Sequence, residues 1–533
     1  MKRKKIDGSF YFLKSFLEVM FKGGRLFYLW MSLLTLIMAT GFLVYGNQAI
    51  KGLVLTNMRD QVSWGFYISN FTFLVGIAAA AVLLIIPAYL YSFKAIKKIV
   101  VFGELLAVSA ILMALMFIVA DFGRAERFWH VFPLVGTPNF PGSILAWDMI
   151  VLNGYLALNI VIVLYIGWNS YYGKKPDKRI IIPLILLSIP LAVGVHTVTA
   201  FVYNGLSARP FWNTSILAPR FLASAFCSGP ALMIIIFQIL RKVTDFKIEN
   251  KAIFKIAEII AYAMAINLLF MLVEVYKEYY SDTIHLSQMK YLYQGLHGYA
   301  GLVPWIWAAM IFNTIGFLLF LIPKTRNNFV TLNIACALIF SGIWIEKGMG
   351  LVLPGFIPDM LGEIFEYMPS ITEIVIGAGI FACGAMLYTL FVRAAIALDT
   401  GVLRHPGAPP LVHEEDAGPC AQDIMSRKVL SVAPETTVAD ISKLLVSHRI
   451  SGVPVVDKEN KVIGVVSESD IIFKEIHHEP HLLERLGNII LPEPGERIKR
   501  TGGTAAEIMT SPAVVAFEGT PLKSLIQTIT EKK

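Results

Sequence analysis

Residues 121–130 read Asp-Phe-Gly-Arg-Ala-Glu-Arg-Phe-Trp-His, and residues 141–148 read Pro-Gly-Ser-Ile-Leu-Ala-Trp-Asp. This charged and aromatic loop joins two segments that are otherwise almost entirely apolar. Ionisable side chains at the edge of an apolar membrane segment are costly unless they are paired or hydrated, so their presence favours a functional site. The alternative is an interfacial belt, in which Trp129, Trp147 and the charges only mark the membrane surface.

The composition around this loop is that of a polytopic membrane protein. Of the 533 residues, 56% are hydrophobic and only 16% are charged, whereas soluble domains carry about 25% charged residues. The net charge of +8 comes from basic residues in short loops and does not indicate nucleic-acid binding. The four cysteines are widely spaced and form no Cys-x-x-Cys motif, so the sequence encodes neither an iron–sulfur cluster nor a structural zinc site.

Ten stretches are long enough to cross a bilayer at about 1.5 Å per residue. The N-terminal segment and alternate loops carry most of the Lys and Arg residues, which by the positive-inside rule places both termini in the cytoplasm. Phe10, Leu13, Leu17, Met20 and Phe21 recur at helical spacing ahead of the first stretch and predict a helix on the membrane surface. The ten spans are expected at 26–46, 66–91, 100–121, 146–168, 180–203, 218–240, 253–276, 300–322, 329–347 and 371–395.

After the last span the composition changes to a linker rich in Pro, Gly and acidic residues, followed by a soluble segment of alternating strands and helices. Ala-Gln-Asp-Ile-Met-Ser at 421–426 recurs as Ala-Ala-Glu-Ile-Met-Thr at 505–510, which indicates a duplicated unit. The second copy stops at Lys533, before any strand like Ser-Gly-Val-Pro-Val-Val at 451–456. The tail therefore holds either half a module or a shortened sequence.

The expected orientation places several ionisable groups near the outer surface. Asp121 ends the third span, Asp148 begins the fourth, Arg220 lies in the first turn of the sixth, and Glu274 lies near the outer end of the seventh. His196 lies roughly 24 Å along the fifth span, close to the same surface. Packed together, these groups would form a pocket for a small molecule with two oxygens that gain or lose protons, because histidine and aspartate suit such transfers.

His196 also has a simpler interpretation, since a lone histidine within the membrane often only ties two helices by a hydrogen bond. A haem with two histidine ligands would need a second inward-facing histidine, and only His297 is even roughly available. Haem ligation is therefore disfavoured.

Glu104 in the third span and Glu258 in the seventh lie in the inner part of the membrane, where they could form a proton route that continues to Glu274. They could equally be interfacial acids that pair with Lys98 and Lys255, and we favour this second interpretation slightly.

The motif at 121–129, Trp-Asp at 147–148 and His196, together with the span count and orientation, resemble the NrfD/polysulfide reductase membrane-subunit family. The likeness is to its ten-span branch, which includes the HybB and DsrP subunits. The family usually has Pro where Ala125 stands. The resemblance implies a quinone-binding subunit with no haem or iron–sulfur cluster in this chain, in the cytoplasmic membrane of a prokaryote.

Such a subunit would exchange electrons between the membrane pool of menaquinone or ubiquinone and a ferredoxin-like iron–sulfur subunit on the outer face. Further redox subunits, either cytochrome or catalytic, would complete the respiratory complex. The resemblance also implies that His196 and Asp148 are the hydrogen-bonding and proton-transfer groups. Asp121, Trp147 and Arg220 would shape the quinone site.

Gly-Val-Val-Ser-Glu-Ser-Asp at 464–470 resembles the CBS domain, whose members include binders of adenosine ligands. The resemblance implies that Asp470 holds ribose hydroxyls, that Ser467 contacts a phosphate, and that the tail senses an adenine nucleotide. The fold expected is an all-α polytopic bundle of about ten transmembrane helices followed by a small cytoplasmic α/β CBS domain. Its parts are an N-terminal segment (1–25), a transmembrane domain (26–400), a linker (401–419), a first CBS motif (420–476), a connector (477–503) and a partial second motif (504–533).

The alternative function is that of a transporter or channel regulated by its CBS tail. Such a protein would favour an inverted repeat with helices broken near the midplane. Pro87, Pro190 and Pro230 lie within spans, but no repeat is evident and the polar groups gather at one surface. We therefore favour the quinone interpretation.

Overall fold

The chain divides into two units, Met1–Pro410 and Leu411–Lys533. The expected connector at 477–503 lies, apart from Gly503, outside the residues that the structure describes. The computed structural model describes residues 8–91, 93–131, 135–244, 246–283, 286–406, 408, 421–471 and 503–516, and six further residues between 518 and 528.

Ten helices of the described residues are long and apolar enough to cross a membrane, which confirms the predicted all-α bundle. A helix on the N-terminal side, α1, precedes them, and a short helix, α9, connects the seventh and eighth spans. The longer helices of this unit are α1 Gly8–Phe21, α2 Arg25–Lys51, α3 Phe66–Tyr89, α4 Val100–Asp121, α5 Ile144–Tyr171, α6 Lys178–Asn204, α7 Leu217–Val243, α8 Asn250–Ser281, α9 Leu286–Tyr293, α10 Val303–Leu321, α11 Phe329–Lys347 and α12 Ile371–Asp399.

Polar side chains fix where two of these helices begin. At the start of α5, the Ser143 hydroxyl accepts a hydrogen bond from the backbone N–H of Ala146. At the start of α12, Ser370 and Glu373 form a reciprocal capping box. Such caps satisfy backbone donors that have no partner within the helix. The cap of α5 therefore sets Asp148 in the second turn of that helix.

The bundle is organised around α3, in which almost every residue is buried. It packs against α4, α6, α7 and α11, while α5 packs against both α4 and α6. In contrast, α2 buries only Leu34, Gly41 and Gln48, and this helix packs mainly against α12. At its far end α3 widens into a π-helical turn, Ile86–Leu90, which includes Pro87. Proline has no backbone N–H to donate within a regular helix.

The helix α1 packs against the last turns of α12, where one arginine joins the two. The Arg393 guanidinium donates to the carbonyl oxygens of Val19 (3.2 Å) and Lys22 (2.6 Å). It also lies 4.1 Å from the centre of the Phe27 ring. The N-terminal helix is thus held by the end of the last span.

The second unit has a small α/β core, as the CBS resemblance predicts. Strand β1 (Gly452–Val456) pairs antiparallel with β2 (Val462–Ser467). Residues after Gly503 join the same core, because Ala505 and Ile508 are buried with Val453 and Val455. The helices of this unit are α13 Ala421–Ile424, α14 Val438–His448 and α15 Ala505–Ile508.

Candidate functional site

One face of α6 carries three polar side chains at helical spacing: His196, Thr199 and Tyr203. Residues three or four apart lie on the same face of a helix. Each of the three is buried, with no more than 1% of its surface exposed. The helices α3 and α5 cover this face, because Thr72 contacts the Tyr203 hydroxyl and Asp148 contacts Thr199. We call the end of the bundle that carries Asp148 the site end.

His196 keeps one ring nitrogen without a partner. Its Nδ1 lies 2.8 Å from the carbonyl oxygen of Ala192, one turn earlier in the same helix. Because a carbonyl only accepts, Nδ1 is the protonated nitrogen of the neutral ring, which leaves Nε2 as an acceptor. This Nε2 is buried and has no hydrogen-bond partner among the described residues. The interpretation of His196 as a tie between two helices is therefore wrong, since its bond stays within α6.

Asp148 is held at the same face of α6 as this histidine. The Thr199 hydroxyl donates to its carboxylate over 2.7 Å, and Asp148 is only 4% exposed. Thr199 lies three residues after His196, so the carboxylate that it binds is about one helical turn from the imidazole. Tyr203 is close enough to both Asp148 and Asp121 to feel their charges. The structure thus brings Asp148 onto the face of α6 that carries His196, and the charge of Asp121 reaches the same face at Tyr203.

Arg220 is the centre of a buried ionic cluster. Its guanidinium contacts the Glu274 carboxylate of α8 and, over 2.8 Å, the Glu346 carboxylate of α11. The Asn313 amide donates to the second oxygen of Glu346 over 2.7 Å. Two glutamates around one arginine give this cluster one excess negative charge, and a second cation offsets that charge.

That second cation is Lys347, which is only 5% exposed. Its ammonium donates to the carbonyl oxygen of Phe221 over 3.0 Å and lies 4.2 Å from the centre of the Phe221 ring. It is also close enough to act electrostatically on His196. The sequence predicts that Lys347 ends a span, and the helix Phe329–Lys347 does end there; the chain then continues past Gly348 as a short helix, Met349–Val352, so Lys347 is buried within the bundle. Lys347 is therefore the member of the ionic cluster whose charge reaches the histidine.

The ionic cluster is tightly packed. A cavity of ≈ 10 Å³ lies between Arg220, Ser224 and Lys347, which is about the space that one water molecule needs. Any larger group that reacts with His196 must therefore approach from another side.

Asp121 lies near a second buried carboxylate. Its Oδ1 is buried without a hydrogen-bond partner in the described part of the chain, and the charge of Glu373 acts on it. Glu373 itself accepts hydrogen bonds from the backbone N–H groups of Asn57 (3.0 Å) and Ser370 (2.9 Å) and from the Tyr367 hydroxyl. Burial and this carboxylate raise the pKa of the Tyr367 hydroxyl, which stays a neutral donor. Glu373 is thus a satisfied structural acid, whereas Asp121 has a free oxygen.

The side chains in the loop between α4 and α5 are largely exposed, unlike the carboxylates at its two ends. Arg124 and Glu126 form an exposed ion pair over 3.4 Å. Trp147 is 38% exposed and donates to the carbonyl oxygen of Pro141 over 3.0 Å. These residues fit the interfacial belt interpretation, and the structure does not bring Trp147 to His196. The buried carboxylates at the loop's ends are the part that belongs to the site.

The two acids expected in the inner part of the membrane differ in their burial and in their pairing. Glu104 is fully buried, and both its carboxylate oxygens lack a hydrogen-bond partner among the described residues. The interpretation of Glu104 as a snorkelling acid is therefore wrong. Glu258 is partly exposed and pairs with Lys255 over 3.1 Å, as that interpretation expects.

In the second unit, Asp470 is held by three side-chain and backbone donors. Its Oδ2 accepts from the Ser467 backbone N–H (2.8 Å) and hydroxyl (2.6 Å). Its Oδ1 accepts from the Thr510 hydroxyl over 3.2 Å. The Ser467 hydroxyl expected to contact a phosphate therefore donates to Asp470.

Sequence reasoning missed several members of the site. Thr199 and Tyr203 carry the common residue types of apolar helices, so nothing in their spacing distinguishes them. Glu346 and Lys347 did give a signal, because two adjacent opposite charges close an apolar span. Charges in that position are costly unless they are paired inside the protein.

Comparison with known proteins tests the resemblance. The family model for polysulphide reductase, NrfD, matches residues 54–355, and the CBS domain model matches residues 421–476. The chain is 22% identical to a putative membrane subunit of the dimethyl sulfoxide reductase of Halobacterium salinarum, over 67% of this chain and 88% of that protein.

Two further relatives are similar over comparable lengths. A subunit of the selenate reductase of Mesobacillus selenatarsenatis is 21% identical over 68% of this chain and 93% of its own. The integral membrane subunit of an Hdr-like menaquinol oxidoreductase of Archaeoglobus fulgidus is 22% identical over 68% of this chain and 90% of its own. The NrfD match covers more than half of the chain. The chain therefore belongs to the polysulphide reductase NrfD family and carries a CBS domain after its membrane helices.

Proposed function

We propose that this chain is the quinone-reacting membrane subunit of a multi-subunit oxidoreductase. It exchanges electrons between the quinone pool, menaquinone or ubiquinone, and a ferredoxin-like iron–sulfur subunit on the outer face. Its family supports this, as do the names of three relatives, two of them reductase subunits and one a menaquinol oxidoreductase subunit. Further redox subunits, either cytochrome or catalytic, complete the complex in the cytoplasmic membrane of a prokaryote.

The observation that carries the proposal is the buried Nε2 of His196, which lacks a partner among the described residues. A buried polar atom without a partner is costly, and such atoms often mark ligand sites. A bound quinol supplies two electrons and two protons. The neutral imidazole accepts a hydrogen bond, and then a proton, from a quinol hydroxyl at Nε2, while the Ala192 carbonyl keeps Nδ1–H oriented.

Asp148 is the second proton-transfer group in this proposal. Its position about one helical turn from the imidazole lets it receive a proton from His196 through one bridging water, or directly from the second quinol hydroxyl. The Thr199 hydroxyl holds the carboxylate in place over 2.7 Å. Asp121 and Arg220 shape the site, Asp121 through its free Oδ1 and Arg220 through the cluster that includes Lys347.

The acids of α4 and α8 provide a route for protons away from this site. Glu274 contacts Arg220 at the site end, and Glu104 lies buried in the opposite half of the bundle. Intramembrane acids of this kind are typical of proton relays. Glu258 fits such a route less well, because Lys255 already neutralises it at a partly exposed position.

The test is electron transfer in the intact complex, with His196→Ala as the variant. We expect wild-type complex to release quinone on solvent extraction, and His196→Ala to lower quinol-linked electron transfer about 100-fold or more, the usual loss for a general base. Partner subunits should co-purify with the variant as before. His297→Ala is the matched control, because His297 is exposed.

Two results would overturn the proposal. The first is a His196→Ala complex with wild-type turnover, which would remove the histidine from the site. The second is a wild-type protein that retains no quinone and no redox partner but carries solute or ion flux in liposomes, which would make it a transporter.

A further inference from the structure

An apolar cavity of ≈ 340 Å³ lies between α2, α4, α5 and α12. We call it the lateral cavity. Its size falls within the range of about 300–1,000 Å³ that is typical of ligand sites. Its walls include Met38, Phe42, Leu112, Met116, Met149 and Ile380.

The lateral cavity offers little to a polar ligand. Tyr45 and Asn153 bring polar atoms to its described lining, and each makes one hydrogen bond within the protein. The Tyr45 hydroxyl donates to the carbonyl oxygen of Val119 (3.4 Å), and the Asn153 amide donates to that of Met149 (2.8 Å). The other described side chains of the lining are apolar, so the part of an occupant that lies here is mainly hydrocarbon.

The lateral cavity opens towards the lipid. Phe42 on its rim is 74% exposed, and Met116 is 38% exposed. Both residues belong to membrane-spanning helices, so the solvent that they face is the hydrocarbon of the bilayer. An occupant can thus enter sideways from the membrane.

Two residues of the lateral cavity's wall are direct chain neighbours of the site carboxylates. Val119 and Ala120 line the cavity, and the next residue is Asp121 with its free Oδ1. Met149 also lines it and follows Asp148 directly. Both site carboxylates are therefore one residue from the cavity wall. Buried carboxylates repel the phosphate of a phospholipid, but they suit a neutral head group that donates hydrogen bonds.

We propose that the lateral cavity holds the isoprenoid tail of the quinone whose ring reacts at His196. This inference rests on the proposed function and names the path by which that substrate enters. The ring passes between the ends of α4 and α5 to reach Asp148 and His196, and the tail stays among Met38, Leu112 and Met116. Burial of the tail contributes binding energy that a tail-less quinone lacks.

The test compares two quinols on the intact complex, one with an isoprenoid tail of several units and one with the same ring and no tail. Met38→Trp on α2 and Met116→Trp on α4 each fill part of the lateral cavity from a different helix. We expect KM for the tailed quinol to rise about tenfold, since losing the burial of about two methylene groups has this effect. The kcat for the tailed quinol and both constants for the tail-less quinol should stay at the wild-type value.

Leu36→Trp is the matched control, because Leu36 also lies on α2, is 66% exposed and does not line the lateral cavity. Unchanged KM values for both quinols in both tryptophan variants would overturn the inference. An equal rise for the two quinols would also overturn it, because the ring site would then be affected.

A third contrary result is loss of a bound phospholipid in native mass spectrometry with unchanged quinol kinetics, which would assign the cavity to an acyl chain. A wild-type complex that reacts with neither quinol would instead refute the proposed function itself.

Discussion

Arg220 and Lys347 are two cations inside a membrane bundle, and their environment explains how the chain tolerates them. Glu274 and Glu346 supply two negative charges, and all four side chains lie at the contacts between α7, α8 and α11. Burial of charges is strongly unfavourable unless they are paired and hydrogen-bonded. The cluster is close to neutral as a whole, so removal of one member leaves the others uncompensated.

We therefore expect Arg220→Met to destabilise the protein strongly, by about 3–5 kcal/mol, because two carboxylates would lose their cation. Glu346→Gln should cost less, since Arg220 keeps Glu274 and the amide still accepts a hydrogen bond. Thermal unfolding in nanodiscs, followed by tryptophan fluorescence, measures both variants.

Arg124→Met is the control for this comparison. Arg124 pairs with Glu126 at a position where 75% of its side chain is exposed, and exposed pairs contribute about 0–1 kcal/mol. Equal losses of stability in Arg124→Met and Arg220→Met would contradict the assignment of a buried cluster.

At the residue scale, the sequence predicted the charged members of the site better than the neutral ones. Asp121, Asp148, His196, Arg220 and Glu274 stand out because a charge is rare in an apolar span. Thr199 does not, because a threonine is common there and its role depends on which helix faces it. The sequence near Thr199 does not show this pairing, because its partner Asp148 lies 51 positions earlier.

At the scale of elements, α2 is attached to the bundle chiefly through one close crossing with α12. A Cβ atom on Gly41 would lie 2.7 Å from the Cα of Gly379, so neither position has room for a side chain. Small residues let membrane helices approach closely, and packing rather than the hydrophobic effect then holds them together. Both glycines also line the lateral cavity, so the crossing helps to form that cavity.

Gly379→Leu should push α2 away from α12 and lower the free energy of unfolding by about 1–3 kcal/mol, as overpacking does. We also expect lower retention of tailed quinone, because the lateral cavity loses its α2 wall. Thermal unfolding and solvent extraction measure the two effects.

Gly154→Leu is the matched control, since nothing lies within 4 Å of a Cβ atom at that position of α5. A melting temperature of Gly379→Leu equal to that of Gly154→Leu would show that the crossing does not hold α2.

Apolar length predicted the ten spans well, because each span must satisfy its backbone polar groups by itself. The environment of the span ends was less predictable. The helix of the ninth span stops at Lys347 as expected, but Lys347 is buried, because the chain continues past Gly348 as a short helix, Met349–Val352. A lysine at a span end usually marks the interface, and only its packing against Phe221 shows that it lies inside.

At the scale of the whole molecule, the chain joins a membrane bundle to a CBS unit whose core uses both of its repeated segments. The sequence repeat at 505–510 predicted a second copy. The structure shows that Ala505 and Ile508 pack into the core of the first copy, and that Thr510 forms a β-bridge with Val465. Repetition of sequence alone does not show that one segment completes the core of the other.

This arrangement orients a single carboxylate. Asp470 receives donors from Ser467 on the first segment and from Thr510 on the second, so both segments fix its position. A fixed carboxylate suits the ribose hydroxyls of an adenine nucleotide, because its hydrogen bonds are charge-assisted and need no reorganisation. We propose that the tail binds such a nucleotide through Asp470.

Asp470→Asn should weaken binding of radiolabelled ATP or AMP to the full-length protein about tenfold, since a hydrogen bond to a charged group contributes about 1.5–3 kcal/mol. Asp457→Asn is the matched control. Asp457 also accepts backbone N–H bonds, from Glu459 (3.0 Å) and Lys461 (2.8 Å), but lies in the turn between β1 and β2. Equilibrium binding in nanodiscs measures both. If the wild-type protein binds neither nucleotide, or if the two variants bind equally well, Asp470 has only a structural role, because its three donors would then serve to join the two segments of the tail.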